Sequence, residues 1–161
     1  MKLLFRNILV YIDSSESAMI AAMHAILIAK ETDAKLTALY VVDTKSVGDL
    51  LKARIFVDAE KDLYEEDLKG DAQRYLRQVS RLAERKGFEI ETETLSGSVS
   101  HEVRDYIKSH DVDLLVLGGI RDIRSRRDEM LSESDRLLRT ASCPVLLVRD
   151  DSDIWESFEE E

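Results

Sequence analysis

NILVYIDSSES, residues 7–17, decides how the rest of the chain is read. A short, β-branched apolar run ends in Asp13, and Ser14, Ser15 and Glu16 follow as residues that open helices. This predicts a buried strand over Asn7–Asp13 feeding a helix N-terminus. Ile20, Met23, Leu27 and Ile28 then recur at three-and-four spacing up to about Glu31, one apolar helix face. Thr32, Asp33 and Ala34 close that helix, and Lys35–Val42 (KLTALYVV) reads as a second strand.

The same grammar continues downstream. From Leu68 the positions Ala72, Tyr75, Leu76, Val79, Leu82 and Ala83 keep one helical face apolar up to Lys86 and Gly87, where glycine suits a C-cap. Phe88–Leu95 (FEIETETL) alternates with Glu, as a strand near a sheet edge does. Gly97 and Ser98 open a helix with Val99, Val103, Tyr106 and Ile107 inward. Asp113–Leu117 and Pro144–Val148 read as fully buried strands, the second preceded by a helix holding Leu137, Leu138 and Ala141. Five strands alternating with four helices predict an open, mostly parallel α/β sheet of Rossmann-like type. Its crossovers are right-handed, helices cover both faces, and a ligand crevice lies beyond the strand C-terminal ends.

With 161 residues, one proline and 44% hydrophobic residues, the chain suits one domain, taken as residues 1–149. Residues 150–161 (DDSDIWESFEEE) form an acidic tail that holds seven of the acids behind the net charge of -10. In the tail, disorder competes with a short helix whose Trp155 is its main buried surface, docked on another subunit or a basic partner. Residues 43–61 are too long for an ordinary strand-to-helix loop. Val47, Leu50, Leu51, Ile55 and Phe56 within them suit either an extension of the following helix or a lid or subunit contact.

Several function classes are disfavoured. Apolar runs are broken by His24, Lys30 or Asp43, too early for a membrane span, and Arg6 and Asn7 interrupt any signal-like start, so a cytoplasmic protein is expected. The acidic balance, without a basic stripe and interleaved aromatics, argues against nucleic acid. Lone Cys143 offers neither an internal disulfide nor Cys-based metal spacing. His24, His101 and His110 fall on helices or at their ends, away from the expected crevice, so no nucleophile and base pair is apparent. A phosphorelay receiver shares this alternation but needs paired acids at the first strand end, an Asp at the third and a Lys at the fifth, and these partners are absent.

Two places can meet a ligand. Asp13 ends the first strand at the crevice, where a helix cap and a ligand contact explain it equally; metal ligation is the weaker reading, in which it helps hold a hydrated Mg²⁺ through a ligand's phosphates. Gly118 and Gly119 end the fourth strand, and Ser132, Glu133, Ser134 and Asp135 begin the next helix. Glycine permits close backbone approach to an anion and a serine-rich helix start offers N–H and hydroxyl groups, although a plain turn and a capping-box variant explain both.

ILVYIDSS (8–15), LYVV (39–42), DLLVLG (113–118) and, most specifically, RLLRTASCPVLLV (136–148) resemble the universal stress protein family in order and spacing. The likeness covers roughly residues 5–149. It implies a five-stranded parallel sheet of order 3-2-1-4-5, a homodimer through the last strands and, in one branch, ATP bound above the sheet. That branch holds phosphates in a loop of pattern G-x-x-G, nine residues, then G and S or T. Gly118 matches the first glycine and Ser132 the hydroxyl, but Arg121 and Leu131 stand at the other glycines, and a Cβ there opposes close approach. Ile12, Asp13 and Val41 match the adenine side, and Ser134 matches a phosphate-side hydroxyl. Arg121, Arg124, Arg126 and Arg127 either grip phosphates in place of the glycines or pair with Asp122, Asp128 and Glu129 on a solvated loop, the reading preferred here.

The leading expectation is therefore a cytoplasmic homodimeric binding or signalling module with a degenerate adenine-nucleotide site and no strong catalytic machinery. Its rival is a nucleotide switch in which Ile12, Asp13, Val41, Gly118, Ser132 and Ser134 hold ATP or AMP with Mg²⁺, with slow hydrolysis. A third reading is a structural subunit that docks a protein partner through residues 43–61 or the tail.

Overall fold

The computed structural model describes residues 4–45, 48–49, 58–119, 133–149 and 153–160. Its elements run β1 (Asn7–Ile12), α1 (Glu16–Thr32), β2 (Lys35–Asp43), α2 (Asp58–Arg85), β3 (Glu91–Gly97), α3 (Val99–Ser109), β4 (Leu114–Gly118), α4 (Glu133–Thr140), β5 (Val145–Val148) and α5 (Ile154–Glu159). The five strands form one sheet in the order β3-β2-β1-β4-β5. Every pairing is parallel, with Ile8 opposite Leu114 on one side of β1 and Ile12 opposite Tyr40 on the other. The expected fold and strand order are those observed.

Alternation along β1 builds two core layers. Ile8, Val10 and Ile12 face α1 and α2, where Met23, Ile26, Leu76 and Val79 complete the layer. Leu9 and Tyr11 face the opposite side, against Val103, Ile107 and Leu137 of α3 and α4. Helices on both sheet faces are what a parallel sheet with apolar central strands requires. The entry to β1 is pinned from β4's side, since the Asp113 carboxylate accepts the N–H groups of Arg6 at 2.8 Å and Asn7 at 3.1 Å. Among the described residues no helix is long and apolar enough to cross a membrane.

Several boundaries depart from the sequence expectation. α2 begins at Asp58 rather than Leu68, because its first turns carry good helix formers with no apolar period to reveal them; Leu63 there is 64% exposed. The end of the 43–61 stretch is thus helix, while Val47, Leu50, Leu51, Ile55 and Phe56 lie outside the described residues. β3 starts at Glu91 rather than Phe88, since the Phe88 N–H is committed to the Ala83 carbonyl at 3.0 Å, closing α2 through left-handed Gly87. β5 is not the fully buried strand expected. It is an edge strand whose Leu146 and Leu147 are 36% and 39% exposed.

The tail forms α5, which packs on its own chain. Ile154 and Phe158, four residues apart, are buried against the α1 and α2 layer, whereas Trp155 is 43% exposed. This corrects the expectation of Trp155 as the main buried surface: an i, i+4 pair defines the inward stripe and turns Trp155 to its margin.

Candidate functional site

The strand order reverses between β1 and β4, so their C-terminal ends diverge around a crevice. Asp13 stands at its mouth, immediately after β1. Its Oδ1 accepts the Ser15 N–H at 2.8 Å and also the Ser15 hydroxyl. Ser15, in turn, is the N-cap of α1 and accepts the Ala18 N–H at 3.2 Å. The cap is therefore Ser15, and Asp13 orients it.

Gly118 is explained by packing. A Cβ on it would lie 2.5 Å from the Ser17 carbonyl oxygen, so the glycine lets β4 end against the first turn of α1. Gly119 extends the pairing of β4 with β5 instead, donating its N–H to the Val148 carbonyl at 2.8 Å. Ile12 and Val41 are buried at 0% and 4% exposure, in opposite core layers. Ser134 lies half-buried in the first turn of α4. Ser132 and the arginines 121, 124, 126 and 127 lie outside the described residues.

Two residues that sequence reading passed over shape the crevice. Tyr11, nine-tenths or more buried, has its hydroxyl pushed well above the ordinary tyrosine range by burial first, then by the negative charges of Asp13, Glu133 and Asp43. The Tyr11 phenol stays protonated. Glu133, the opening residue of α4, has its carboxyl pushed up by burial, opposed by Arg136 at 3.5 Å and reinforced by Asp43. Its Oε2 is buried without a hydrogen-bond partner among the described residues. A tyrosine in an aliphatic strand and a glutamate between two serines were the available signals.

On the other sheet face Tyr40 stacks on Tyr75, with ring centroids 6.3 Å apart, and Arg74 lies 5.6 Å from the Tyr75 ring. The histidines stay apart from the crevice chemistry. His24 is bonded to the Ile20 carbonyl in mid-helix at 2.9 Å, His101 is exposed, and His110 stacks on Tyr106. Among the described residues no three acidic, His or Cys side chains form a cation site.

Helix N-termini attract anions, but Glu133 occupies the start of α4 with a carboxylate that, among the described residues, lacks a partner at one oxygen. Phosphate oxygens placed at the start of α4 would add negative charge beside it. Gly118 is meanwhile committed to Ser17.

Known proteins agree with this architecture. A universal stress protein of Methanocaldococcus jannaschii is 34% identical over 146 residues, 91% of this chain and 83% of that protein. The solved universal stress protein UspA from Lactobacillus plantarum is 30% identical, has a TM-score of 0.69, and matches over 90% of this chain and 98% of its own. An Arabidopsis thaliana family protein, solved with AMP bound, shares the fold at 17% identity and a TM-score of 0.63, covering 92% of this chain and 94% of its own. The model of the Universal stress protein family matches residues 4–149, so the chain, up to the end of β5, belongs to that family.

Proposed function

We propose that this chain is a cytoplasmic, non-catalytic binding and signalling module of the stress response, working as a homodimer with an adenine-nucleotide crevice that has lost its grip on triphosphate. The observation that supports the reading is the buried Glu133 Oε2 at the start of α4, which has no hydrogen-bond partner among the described residues and stands where phosphate oxygens would otherwise be received. The replacement of two loop glycines by Arg121 and Leu131 supports it from the sequence. Exposed Leu146 and Leu147 on the β5 edge support self-association.

A second reading keeps a ligand with fewer phosphates. Ile12 and Val41 retain an adenine-side rim, and one solved relative of the same fold carries AMP. Calorimetric titration of nucleotide-stripped protein separates the two. The leading reading expects no saturable heat from ATP with Mg²⁺ up to about 1 mM. AMP binding without ATP binding would favour the second, and micromolar ATP binding by the unaltered chain would overturn the first.

A further inference from the structure

We propose that the groove between α1, α2 and α5 is a second binding site, for a small soluble amphiphile bearing a carboxylate. It reaches the first turn of α1 at Glu16 and otherwise runs between the three helices, on the side of α1 that faces α2 and α5. Met19 of α1, Leu82 of α2 and Trp155 of α5 line a concave space of about 460 Å³, within the roughly 300–1,000 Å³ usual for small-molecule sites. Arg81 and Arg85 border it, one helical turn apart on α2.

Charge selects the ligand's head. Arg85 is already shared with Glu159 at 3.6 Å, whereas no carboxylate among the described residues is paired with Arg81. Glu16 is the one acid among the lining side chains, against two guanidinium groups, and Gln78 adds a neutral amide. With Arg85 shared with Glu159, Arg81 is the guanidinium left to receive a ligand's head, and the lining between the polar groups is apolar. A carboxylate matches the planar guanidinium of Arg81, and a hydrocarbon or aromatic body matches Met19, Leu82 and the Trp155 ring.

The site also depends on this chain's own tail. The family match ends at residue 149, and Trp155 stands beyond it. α5 holds that wall in place through fully buried Phe158, over whose ring Lys86 Nζ lies at 4.9 Å, and through the bond from Lys86 Nζ to the Glu160 carbonyl at 2.7 Å. Trp155 itself is not needed for that docking, and its partly exposed ring is left to face the groove.

Trp155 is the chain's only tryptophan, so its fluorescence reports on this groove alone. The full chain is titrated with decanoate, held below its micelle concentration, with decylamine as the counterpart of opposite charge. The expected result is a saturable change in Trp155 emission with decanoate and none with decylamine. Arg81→Glu should weaken decanoate binding by about tenfold or more while Arg81→Lys keeps most of it. Arg81 is exposed, and unchanged melting curves would show that both variants fold. Absence of a saturable response to decanoate up to about 1 mM overturns the proposal. An equal response to decylamine, or undiminished binding by Arg81→Glu, overturns it as well.

Discussion

Gly118 and Ser17 meet so closely that a Cβ on the glycine would lie 2.5 Å from the serine carbonyl oxygen and 2.6 Å from its carbonyl carbon. Both are backbone atoms of a capped helix, which cannot yield as a flexible side chain can. Gly118→Ala should therefore cost about 1–3 kcal/mol by overpacking. Denaturant unfolding monitored by circular dichroism checks this. A loss under about 0.5 kcal/mol, the level of ordinary surface substitutions, would mean that the strand and helix separate easily.

Glu133 makes a prediction about pH. Its folded-state pKa is raised, chiefly by burial, so the folded chain binds the proton more tightly than the unfolded chain. Stability from this group therefore falls as pH rises from the ordinary glutamate range through the raised folded value. Glu133→Gln removes the ionisation, so it should stabilise the protein at neutral pH, and the gain should fade as the wild-type carboxyl becomes protonated in acid. Thermal melts of both proteins across that range test the sign. A variant that is less stable at neutral pH would show that Arg136 outweighs burial.

The sheet was legible in the sequence because its signals are local. NILVYI alternates between two buried layers, and the run ends where Asp13 and Ser15 divide turn and cap between them. The start of α2 was not legible, since Asp58–Leu68 lacks an apolar face until Leu68 packs. Nor was the exposure of β5, because its composition is that of a buried strand, whereas its position at the sheet edge is set by the whole topology. At the crevice, sequence reading found Asp13 and Gly118 but took their chemistry from strand-end position and family likeness. Their atoms are committed to Ser15 and Ser17, and the charge that matters most, Glu133, takes its meaning from burial beside Tyr11 and Asp43.

The tail helix should behave as a separable unit. Phe158 is fully buried and Ile154 nearly so, yet α5 has only six residues and is too short to persist alone. Phe158→Ala removes its main anchor, and the loss is bounded above by the roughly 3–5 kcal/mol typical of buried phenylalanine truncations. Because α5 can detach before the sheet unfolds, the expected signature is a red shift of Trp155 emission at denaturant concentrations that leave far-UV circular dichroism native. Coincident transitions by both probes would show instead that α5 unfolds only with the domain.

The β5 edge bears on assembly. Leu146 and Leu147 project to opposite faces of β5, the last strand of the sheet among the described residues, and each is more than one-third exposed. A long-lived monomer would be expected to protect such an edge with charge or a covering segment. Pairing with the same strand of a second copy satisfies the free backbone groups and covers both leucines at once, which a two-fold arrangement permits. Replacing both leucines by lysine places charge on the edge and should weaken self-association by about a hundredfold or more, with little change in the fold. Sedimentation velocity over a concentration series reads this directly. A wild-type chain that stays monomeric at about 100 μM, or a dimer indifferent to both lysines, would show that β5 is not the contact.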